Sequence, residues 1–336
     1  MKQGLLIIFI CLLFSCEKDP VIPEGKGNFV DVQTLALSNI QDSRATTGIA
    51  IANLSTQYAV QERGVCWGFL DSPTVSDFYY PASANNASFT LTDLIPGQKY
   101  FVRSYAKING IYTYGNQREF MTTLANSGLN NGLVAFYPLN GDTRDYSSSG
   151  NALSSGATKT AGRRGVNNTA YSFNGSNQFL TLLNPKNLPS NNAAYSMSMW
   201  FKASIWSRDM VIAGYGPANI PAACNYVKTL TNQGLMHNHW SFDRTFSSGT
   251  FANLWTHIVV THDGGTERYY LNGQLIHTWP HLTSPLFINP SVLSIGARVV
   301  NASTNDIREY FSGSIDELRI YNRALSAAEV SALNTL

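Results

Sequence analysis

A cluster of aromatic, amide and charged residues between positions 215 and 250 is the part of this sequence best suited to binding a polar ligand. The candidates combine flat rings with hydrogen-bonding groups: Tyr226, His237, Asn238, His239, Trp240, Asp243 and Arg244. An aromatic ring packs on the apolar face of a pyranose, while amide, carboxylate and guanidinium groups bond hydroxyls that would otherwise lose water without replacement. The chemistry indicated is non-covalent capture of a sugar.

The two histidines of this cluster have the spacing of a metal site as well. If His237 and His239 belong to one strand, their side chains point to the same face. Zinc accepts histidine nitrogens, but a third ligand is not evident nearby in the sequence, so hydrogen bonding or packing is the alternative role. Trp206, Trp279 and His281 are further aromatic candidates for ligand contact, with a place in the core or at its rim as the alternative.

Composition indicates the elements that must position these residues. The chain has 336 residues, of which 13% are charged and 12% aromatic, and its net charge is +2. Low charge, many aromatics and abundant turn-forming residues favour short strands, and the length favours two domains. We therefore expect an all-β protein. With no basic stripe, no nucleic acid partner is expected. Cys66 and Cys224 fall in different predicted domains and are expected to be buried thiols rather than a disulfide.

The N-terminal segment reads as an export signal. Lys2 precedes an apolar run at positions 5–14 that is too short to span a bilayer. The block Leu-Phe-Ser-Cys that ends at Cys16 resembles the lipobox of bacterial lipoproteins, and the following Glu-Lys-Asp resembles a Bacteroidetes surface-export signal. The resemblance implies a signal peptide at 1–15, lipidation of Cys16, and a membrane contact through the lipid anchor only. It also implies a Pro- and Gly-rich tether at 16–27. The protein is then expected in the outer membrane, exposed on the cell surface.

Residues 28–123 are predicted to form a small sandwich. Short alternating runs separated by turn residues recur along them. Tyr100 follows a turn and is placed to return its hydroxyl to that corner, and Trp67 is expected in the core. The stretch from Glu62 to Gly68 and the strand Tyr-Phe-Val-Arg-Ser-Tyr-Ala at 100–106 resemble fibronectin type III-like domains of Bacteroidetes surface proteins. A small polar linker at 124–131 separates this unit from the rest.

Residues 132–336 repeat the β pattern on a larger scale. Asn272-Gly273 between alternating runs predicts a type I′ hairpin over 267–278. Ser326 and Glu329 have capping-box spacing and predict a short C-terminal helix that packs an apolar side on the sandwich.

This second unit is similar to concanavalin A-like domains of the laminin G type. The blocks that carry the resemblance lie at 132–141, 145–151, 171–177, 197–202, 255–261, 269–273 and 311–326. The resemblance implies a jelly-roll sandwich of two curved antiparallel sheets. Members commonly bind glycans or extracellular proteins, some through calcium, and others serve only as spacers.

Oxygen donors suited to calcium occur near both ends of the second unit: Asn140, Asp142, Asp145 and Asp316. The resemblance implies that the Asp316 block lies near the Asp145 segment, because the terminal strands of this fold pair. A structural calcium ion is one expectation, and turn-forming residues that cap their own backbone are the alternative.

Catalytic signatures are missing from the sequence. Glycoside hydrolases on the same sandwich usually carry Glu-x-Asp-x-x-Glu on one strand, and no such run occurs. Asp263, Glu267 and Glu309 can still converge in space, but their spacing does not favour it. We therefore expect no enzymatic activity and a lipid-anchored surface protein that binds glycan or extracellular polysaccharide through its second unit. The rival is an adhesion or scaffold module that binds a protein partner.

Overall fold

Two β-sandwich units make up the part of the chain that the computed structural model describes, residues 30–52, 59–96, 98–123, 128–154, 156–231, 234–248, 251–280, 285–301 and 306–336. The predicted signal peptide, the lipidation site Cys16 and the tether lie outside these ranges. Within them, no helix has both the length and the apolar character needed to cross a membrane.

The first unit consists of short antiparallel strands in two sheets. The strands are β1 (Asp31–Thr34), β2 (Ala45–Ala52), β3 (Val60–Gly68), β4 (Phe78–Pro81), β5 (Asn86–Leu91), β6 (Lys99–Ile108), β7 (Ile111–Tyr114) and β8 (Arg118–Met121). One sheet has the order β1-β2-β5, and the other has the order β4-β3-β6-β7 with β8 also paired to β6. This is the two-sheet sandwich expected from the alternating runs, and a relation to fibronectin type III domains stays a prediction.

Two aromatic residues organise the core of the first unit as the sequence predicted. Trp67 on β3 is 1% exposed and packs against Phe78. The hydroxyl of Tyr100 on β6 accepts a hydrogen bond of 2.9 Å from the backbone N–H of Ile95 and so closes the corner before the strand. The predicted core tryptophan and the predicted tyrosine corner are both confirmed. Cys66, also on β3, is a buried free thiol.

The second unit is a larger jelly-roll with one helix. Its elements are β9 (Leu133–Tyr137), β10 (Thr158–Thr160), β11 (Ala170–Asn174), β12 (Leu180–Leu183), β13 (Tyr195–Ala203), β14 (Met210–Tyr215), β15 (Asn225–Thr229), β16 (Gly234–Asn238), β17 (Arg244–Ser248), β18 (Thr256–His262), β19 (Glu267–Leu271), β20 (Gln274–Trp279), β21 (Val292–Ile295), β22 (Arg298–Asn301), β23 (Asp306–Arg308), β24 (Ser312–Tyr321) and α1 (Ala327–Thr335). A 3-10 turn at Gly128–Asn130 precedes them.

Two curved sheets face each other in this unit. One has the order β10-β11-β24-β13-β18-β19-β20 with β9 paired to β24, and the other has the order β12-β21-β14-β15-β16-β17. Strands β22 and β23 pair with each other beside them. Alternate residues of β13 show why the sheets pack: Met197, Met199 and Phe201 enter the core between the sheets, whereas the Ser198 hydroxyl on the other face meets the His257 Nε2 at 2.9 Å.

The local turn and cap signals of the second unit are confirmed. Asn272 and Gly273 have φ values of 47° and 78°, and they join β19 to β20 as a type I′ turn requires. The Ser326 side chain accepts from the Glu329 N–H, and the Glu329 carboxylate accepts from the Ser326 N–H, so the capping box is complete. The helix packs Val330 and Leu333 onto the outer face of the larger sheet.

The two units are joined by contacts as well as by the chain. Val166 of the second unit belongs to the same buried cluster as Trp67 of the first unit. The Asn168 amide donates to the backbone oxygens of Ser76 and Asp77. Gly141 has a φ of 80°, and a Cβ atom there would lie 2.8 Å from the ring of Phe78. Only glycine permits that close approach without displacing the ring.

Candidate functional site

The structure separates the residues predicted to contact a sugar into a buried group and an exposed group. Tyr226, His237 and His239 have no exposed surface, and Asn238 is 4% exposed. His237 lies between the two sheets, whereas Tyr226, which pairs with Asn238, packs on the other face of its sheet against Val211, Ala218 and Cys224. A ligand in solution does not reach them, so in this structure they are core residues. The predicted direct contact with glycan is left only to Trp240, Asp243 and Arg244.

The exposed group lies in and after the turn that follows β16. Trp240 is half-buried, and the Arg298 guanidinium lies over its ring, 5.0 Å from the centroid. Asp243 Oδ1 accepts from the Asn238 amide at 2.6 Å and from the His239 N–H at 3.1 Å. Arg244 stacks over Trp279 at 5.1 Å. These contacts fix the turn and leave a small patch of aromatic and charged surface.

Two of the further aromatic candidates lie at the rim of the core. Trp206 and Trp279 are partly buried and pack against the core of the second unit. His281 lies outside the residues that the structure describes. Trp206 and Trp279 therefore have the alternative role expected for them, which is packing at the rim of the core.

The oxygen donors predicted for calcium have other partners. Asp145 accepts from the backbone N–H groups of Phe136, Ser147 and Asn151. Asp145 therefore caps the local backbone, which is the alternative role expected for it from the sequence. Asp142 accepts from the Tyr146 hydroxyl at 2.9 Å.

The remaining two donors face the junction between the units. Asn140 is 5% exposed, and its amide donates to the backbone oxygen of Asp93. Asp316 is also 5% exposed, and its Oδ2 lies 4.0 Å from the Arg163 guanidinium. In the described structure Asp142, Asp145 and Asp316 do not form one group of close ligand atoms, and calcium binding stays a prediction.

The three carboxylates considered for catalysis also have separate partners. Asp263 pairs with Arg268 at 2.8 Å on the surface. Glu309 accepts contacts of 3.1 Å from both Lys228 and Arg298. Glu267 is fully buried among the histidines of the core. The described structure therefore assigns each of them to a different local network.

A pocket of about 340 Å³ opens at the junction between the two units. Its wall combines apolar, aromatic and charged side chains from both: Asp93, Leu94 and Ile95 from the first, and Phe136, Pro138, Tyr146, Arg163, Glu317 and Arg319 from the second. The volume lies at the lower end of the range of roughly 300–1,000 Å³ that small-molecule sites occupy, and domain junctions are a preferred place for such sites.

An ion-pair network forms the polar side of the pocket. The Arg163 guanidinium lies 2.5 Å from Glu317 and 3.3 Å from Asp93, and Arg319 lies 2.7 Å from the other Glu317 oxygen. Burial alone would raise the pKa of Glu317, but the positive charges of Arg319 and Arg163 outweigh it and hold that pKa at about 2. For Asp316 burial dominates and raises the pKa well above its usual value. The pocket thus presents fixed donors and a fixed carboxylate.

Of the residues predicted as ligands from the sequence, Asn140 and Asp316 line this pocket, but no sequence pattern indicates its polar network. Asp93 follows β5, Arg163 lies in the turn between β10 and β11, and Glu317 is in the middle of β24. No spacing or motif connects three residues so far apart along the chain. The sheet order β10-β11-β24 brings Arg163 and Glu317 together within the second unit, and the docking of the first unit adds Asp93. Leucines at 94 and 133 and a proline at 138 also look like ordinary core or turn residues in the sequence.

A second cluster lies in the core of the jelly-roll and has the composition of a metal site. The ligand atoms of His237, His239 and Glu267 all lie within 4.8 Å of one another. In the part of the chain that the structure describes, this is the single group of three or more such residues. Burial lowers the pKa of the His237 imidazole well below its usual value. Glu267, on the opposite sheet, is the third potential ligand, which the sequence did not reveal.

Comparison with known families agrees with this architecture. Residues 174–331 match the family described as the concanavalin A-like lectin/glucanases superfamily. The matched residues all lie in the second unit. The predicted all-β fold with a concanavalin A-like jelly-roll is therefore confirmed. Among curated protein sequences, the comparison found no match to the chain.

Several solved structures are similar to parts of this chain at low sequence identity. Domain 4 of AbnA, a GH43 extracellular arabinanase from Geobacillus stearothermophilus, in complex with arabinotriose, is 22% identical and covers 60% of this chain and 98% of its own, with a TM-score of 0.47. The binding domain of Paraclostridial Mosquitocidal Protein 1 is 18% identical and covers 61% of this chain and 52% of its own, with a TM-score of 0.49.

A structure of botulinum neurotoxin type C, whose cell entry depends on interaction with two ganglioside molecules, is 16% identical. It covers 62% of this chain and 52% of its own, with a TM-score of 0.48. The chain thus spans about half the length of the two toxin structures.

Proposed function

We propose that this chain binds carbohydrate without cleaving it, in the pocket between its two units. The observation that carries the proposal is the combination, in one pocket of about 340 Å³, of apolar wall and fixed polar groups. A sugar has the same two characters, because its ring has an apolar face and its rim carries hydroxyls. The concanavalin A-like fold of the second unit supports the same class of ligand.

Each side of the pocket suits one part of such a ligand. Leu94, Ile95 and Pro138 line the apolar side with little exposed surface of their own, and the half-buried side chains of Leu133 and Tyr146 line it with them. Arg319 and Glu317 hold each other in place, so a sugar hydroxyl meets a donor and an acceptor that are already oriented. A site whose polar groups are pre-positioned loses less conformational entropy when the ligand binds.

The absence of cleavage is part of the proposal. Hydrolysis of a glycosidic bond needs one carboxyl group as acid and a second as base or nucleophile. In the pocket, Arg319 and Arg163 outweigh burial and hold the pKa of Glu317 at about 2, so this carboxylate carries no proton for a leaving group near neutral pH. Asp93 also pairs with Arg163, and the sequence lacks the paired-carboxylate run of glycoside hydrolases, which supports binding rather than catalysis.

The cellular place of the protein is proposed from the sequence alone. A lipidated Cys16 would attach the chain to the outer membrane, and the first unit would hold the pocket away from the bilayer. Mass spectrometry of the mature protein is expected to find an N-terminus at Cys16 that carries acyl chains. A mature protein that begins elsewhere or lacks lipid would contradict this part of the proposal.

Binding of the full chain to a broad glycan panel tests the function, with and without Ca²⁺ in the buffer. Tyr146→Ala removes an aromatic wall of the pocket, and Tyr112→Ala, on β7 of the first unit, is the matched control. Trp240→Ala reports on the exposed patch after β16. Loss of binding in Tyr146→Ala alone supports the pocket. Loss in Trp240→Ala alone moves the site to that patch, and a blank panel from folded protein contradicts carbohydrate binding.

A protein partner is the second candidate, because β20 is an edge strand of the larger sheet and exposes apolar side chains. Leu275 and Ile276 on it are 52% and 39% exposed. An unpaired strand edge with exposed apolar residues can accept a strand from a partner. This rival predicts that Leu275→Lys abolishes partner binding and leaves glycan binding unchanged.

A further inference from the structure

Three potential metal ligands converge inside the jelly-roll, away from the pocket described above. Glu267 Oε1 lies 2.8 Å from His239 Nε2 and 3.5 Å from His237 Nδ1. All three residues have no exposed surface. His237 is on β16 of the smaller sheet, His239 directly follows that strand, and Glu267 begins β19 of the larger sheet. The cluster therefore bridges the two sheets of the sandwich.

The surroundings of His239 determine which of its ring nitrogens carries the proton. Nδ1 lies 2.8 Å from the backbone oxygen of Cys224. Because a carbonyl oxygen only accepts hydrogen bonds, the proton of a neutral imidazole belongs on Nδ1. Nε2 then directs its lone pair at the Glu267 carboxylate, 2.8 Å away. Two electron-rich atoms at that distance repel each other unless a cation lies between or beside them.

His237 repeats the arrangement with a different outer partner. Its Nε2 lies 2.5 Å from Asn225 Oδ1, and the Asn225 amide nitrogen donates to the Tyr215 hydroxyl at 3.0 Å. The ring proton is thus used on the outer side. Nδ1 is left facing Glu267, and it is a buried nitrogen without a hydrogen-bond partner. Other buried side-chain atoms, such as His257 Nδ1, also lack a partner, but His237 Nδ1 faces a carboxylate oxygen that a second imidazole also approaches.

We propose that His237, His239 and Glu267 bind a Zn²⁺ ion in the core of the jelly-roll. One extra proton between His239 and Glu267 would relieve that pair and leave His237 Nδ1 unsatisfied. A metal ion bonded to all three atoms satisfies both histidines and the carboxylate at once. Two histidine nitrogens and one carboxylate oxygen are a ligand set that zinc commonly takes.

The groups behind the ligands have the pattern of an outer coordination shell. Metal-binding histidines usually donate their second ring N–H to a carbonyl or carboxyl oxygen, and ligating carboxylates are themselves hydrogen-bonded. Cys224 and Asn225 supply these acceptors, and the Tyr269 hydroxyl donates to Glu267 Oε2 at 2.6 Å. The Tyr195 hydroxyl donates to Glu267 Oε1 at 3.1 Å.

This ligand set also separates the proposal from the calcium predicted at Asp145 and Asp316. Ca²⁺ takes six to eight oxygen ligands, whereas imidazole nitrogens suit zinc and its transition-metal neighbours. Because the cluster is closed to solvent, the ion would enter while the sheets come together during folding. Its binding free energy would then contribute directly to the stability of the second unit.

Metal analysis of the full chain, purified without a histidine tag, tests the proposal. We expect about one equivalent of zinc per chain after gel filtration. His239→Gln and Glu267→Gln each remove one ligand, and each is expected to lower the zinc content at least about 10-fold at limiting zinc. His257→Gln is the matched control, because His257 is equally buried on β18 but bonds Ser198 outside the cluster. It is expected to keep the metal.

Refolding of the wild-type chain keeps the proposal falsifiable if the ligand variants do not fold. The protein is unfolded in guanidinium with EDTA and refolded with Zn²⁺, with Co²⁺ or with EDTA alone. Zinc is expected to raise the melting temperature, and Co²⁺ is expected to give the visible absorption of a low-coordinate nitrogen and oxygen site. A wild-type protein that contains no zinc, binds no Co²⁺ and melts at one temperature under all three conditions overturns the proposal.

Discussion

The carboxylate of Asp93 in the first unit and the guanidinium of Arg163 in the second lie 3.3 Å apart across the junction of the two sandwiches. Both side chains are largely buried, and Glu317 completes the network from the far side. A charged group held in this way fixes the angle between the units and, with it, the shape of the pocket. The pocket and the docking of the units are therefore one feature.

Removal of Arg163 is expected to be strongly destabilising. Arg163→Ala leaves Asp93 and Glu317 buried without their shared cation, and breaking a buried ion pair in this way costs about 3–5 kcal/mol. Arg164→Ala is the control, because Arg164 contacts the same Asp93 at 3.1 Å with a side chain that is 31% exposed. Its expected cost is below about 1 kcal/mol. Guanidinium unfolding followed by tryptophan fluorescence measures both, and equal effects would contradict the structural role of Arg163.

Stability is expected to fall in mild acid because of His257. Burial lowers the pKa of this histidine from 6.5 to about 4, so the folded protein holds it neutral. As the pH falls below 6.5, His257 becomes protonated in the unfolded chain, whereas in the folded chain it stays neutral until about pH 4. The loss amounts to roughly 3 kcal/mol over that window. Thermal melts between pH 8 and pH 4 should therefore show a steeper decline for the wild type than for His257→Gln, and parallel curves would refute this assignment.

The C-terminal helix depends on its capping box. Ser326→Ala removes the hydroxyl that accepts the Glu329 N–H, and the expected cost is about 1 kcal/mol. Ser331→Ala in the same helix is exposed and serves as the control, with a change near zero or slightly stabilising. Chemical denaturation of the two variants compares them, and a cap variant as stable as the control would show that packing alone holds the helix.

The tyrosine corner gives a test of the first unit. Tyr100→Phe keeps the ring and removes the hydroxyl that accepts the Ile95 N–H, which leaves a buried donor unpaired at a cost of about 1–3 kcal/mol. Tyr112→Phe removes a hydroxyl that donates to exposed Glu62, and its expected effect is small. Urea unfolding measures the difference, and a Tyr100→Phe variant that unfolds at the same denaturant concentration as the wild type would argue against the corner.

Features that a few neighbouring residues determine were predictable from the sequence. The Asn272–Gly273 hairpin, the Ser326 cap and the Tyr100 corner each depend on contacts within about six positions of the chain. The predictions there agree with the structure because local backbone preferences and nearby hydrogen bonds decide the outcome. The all-β fold followed from composition and from the resemblance of the second unit to concanavalin A-like domains.

The site was less predictable because strand pairing and domain docking place its residues. A sequence shows that His237 and His239 share a face, but it does not show whether that face meets solvent or the opposite sheet. The structure turns it inward against Glu267. Similarly, Arg163 is an ordinary charged turn residue until the first unit brings Asp93 against it. Long-range placement, and not residue type, decides which polar residues are available to a ligand.

Hydrogen–deuterium exchange of the full chain, with and without the best glycan from the panel, tests the central claim most directly. If the sugar binds between the units, protection should increase in the backbone segments at 93–96, 133–148 and 316–319, which form the pocket, and Tyr146→Ala should abolish the change. Protection confined to residues 238–244 would place the sugar on the exposed patch instead. That result would contradict the assignment of the pocket as the carbohydrate site.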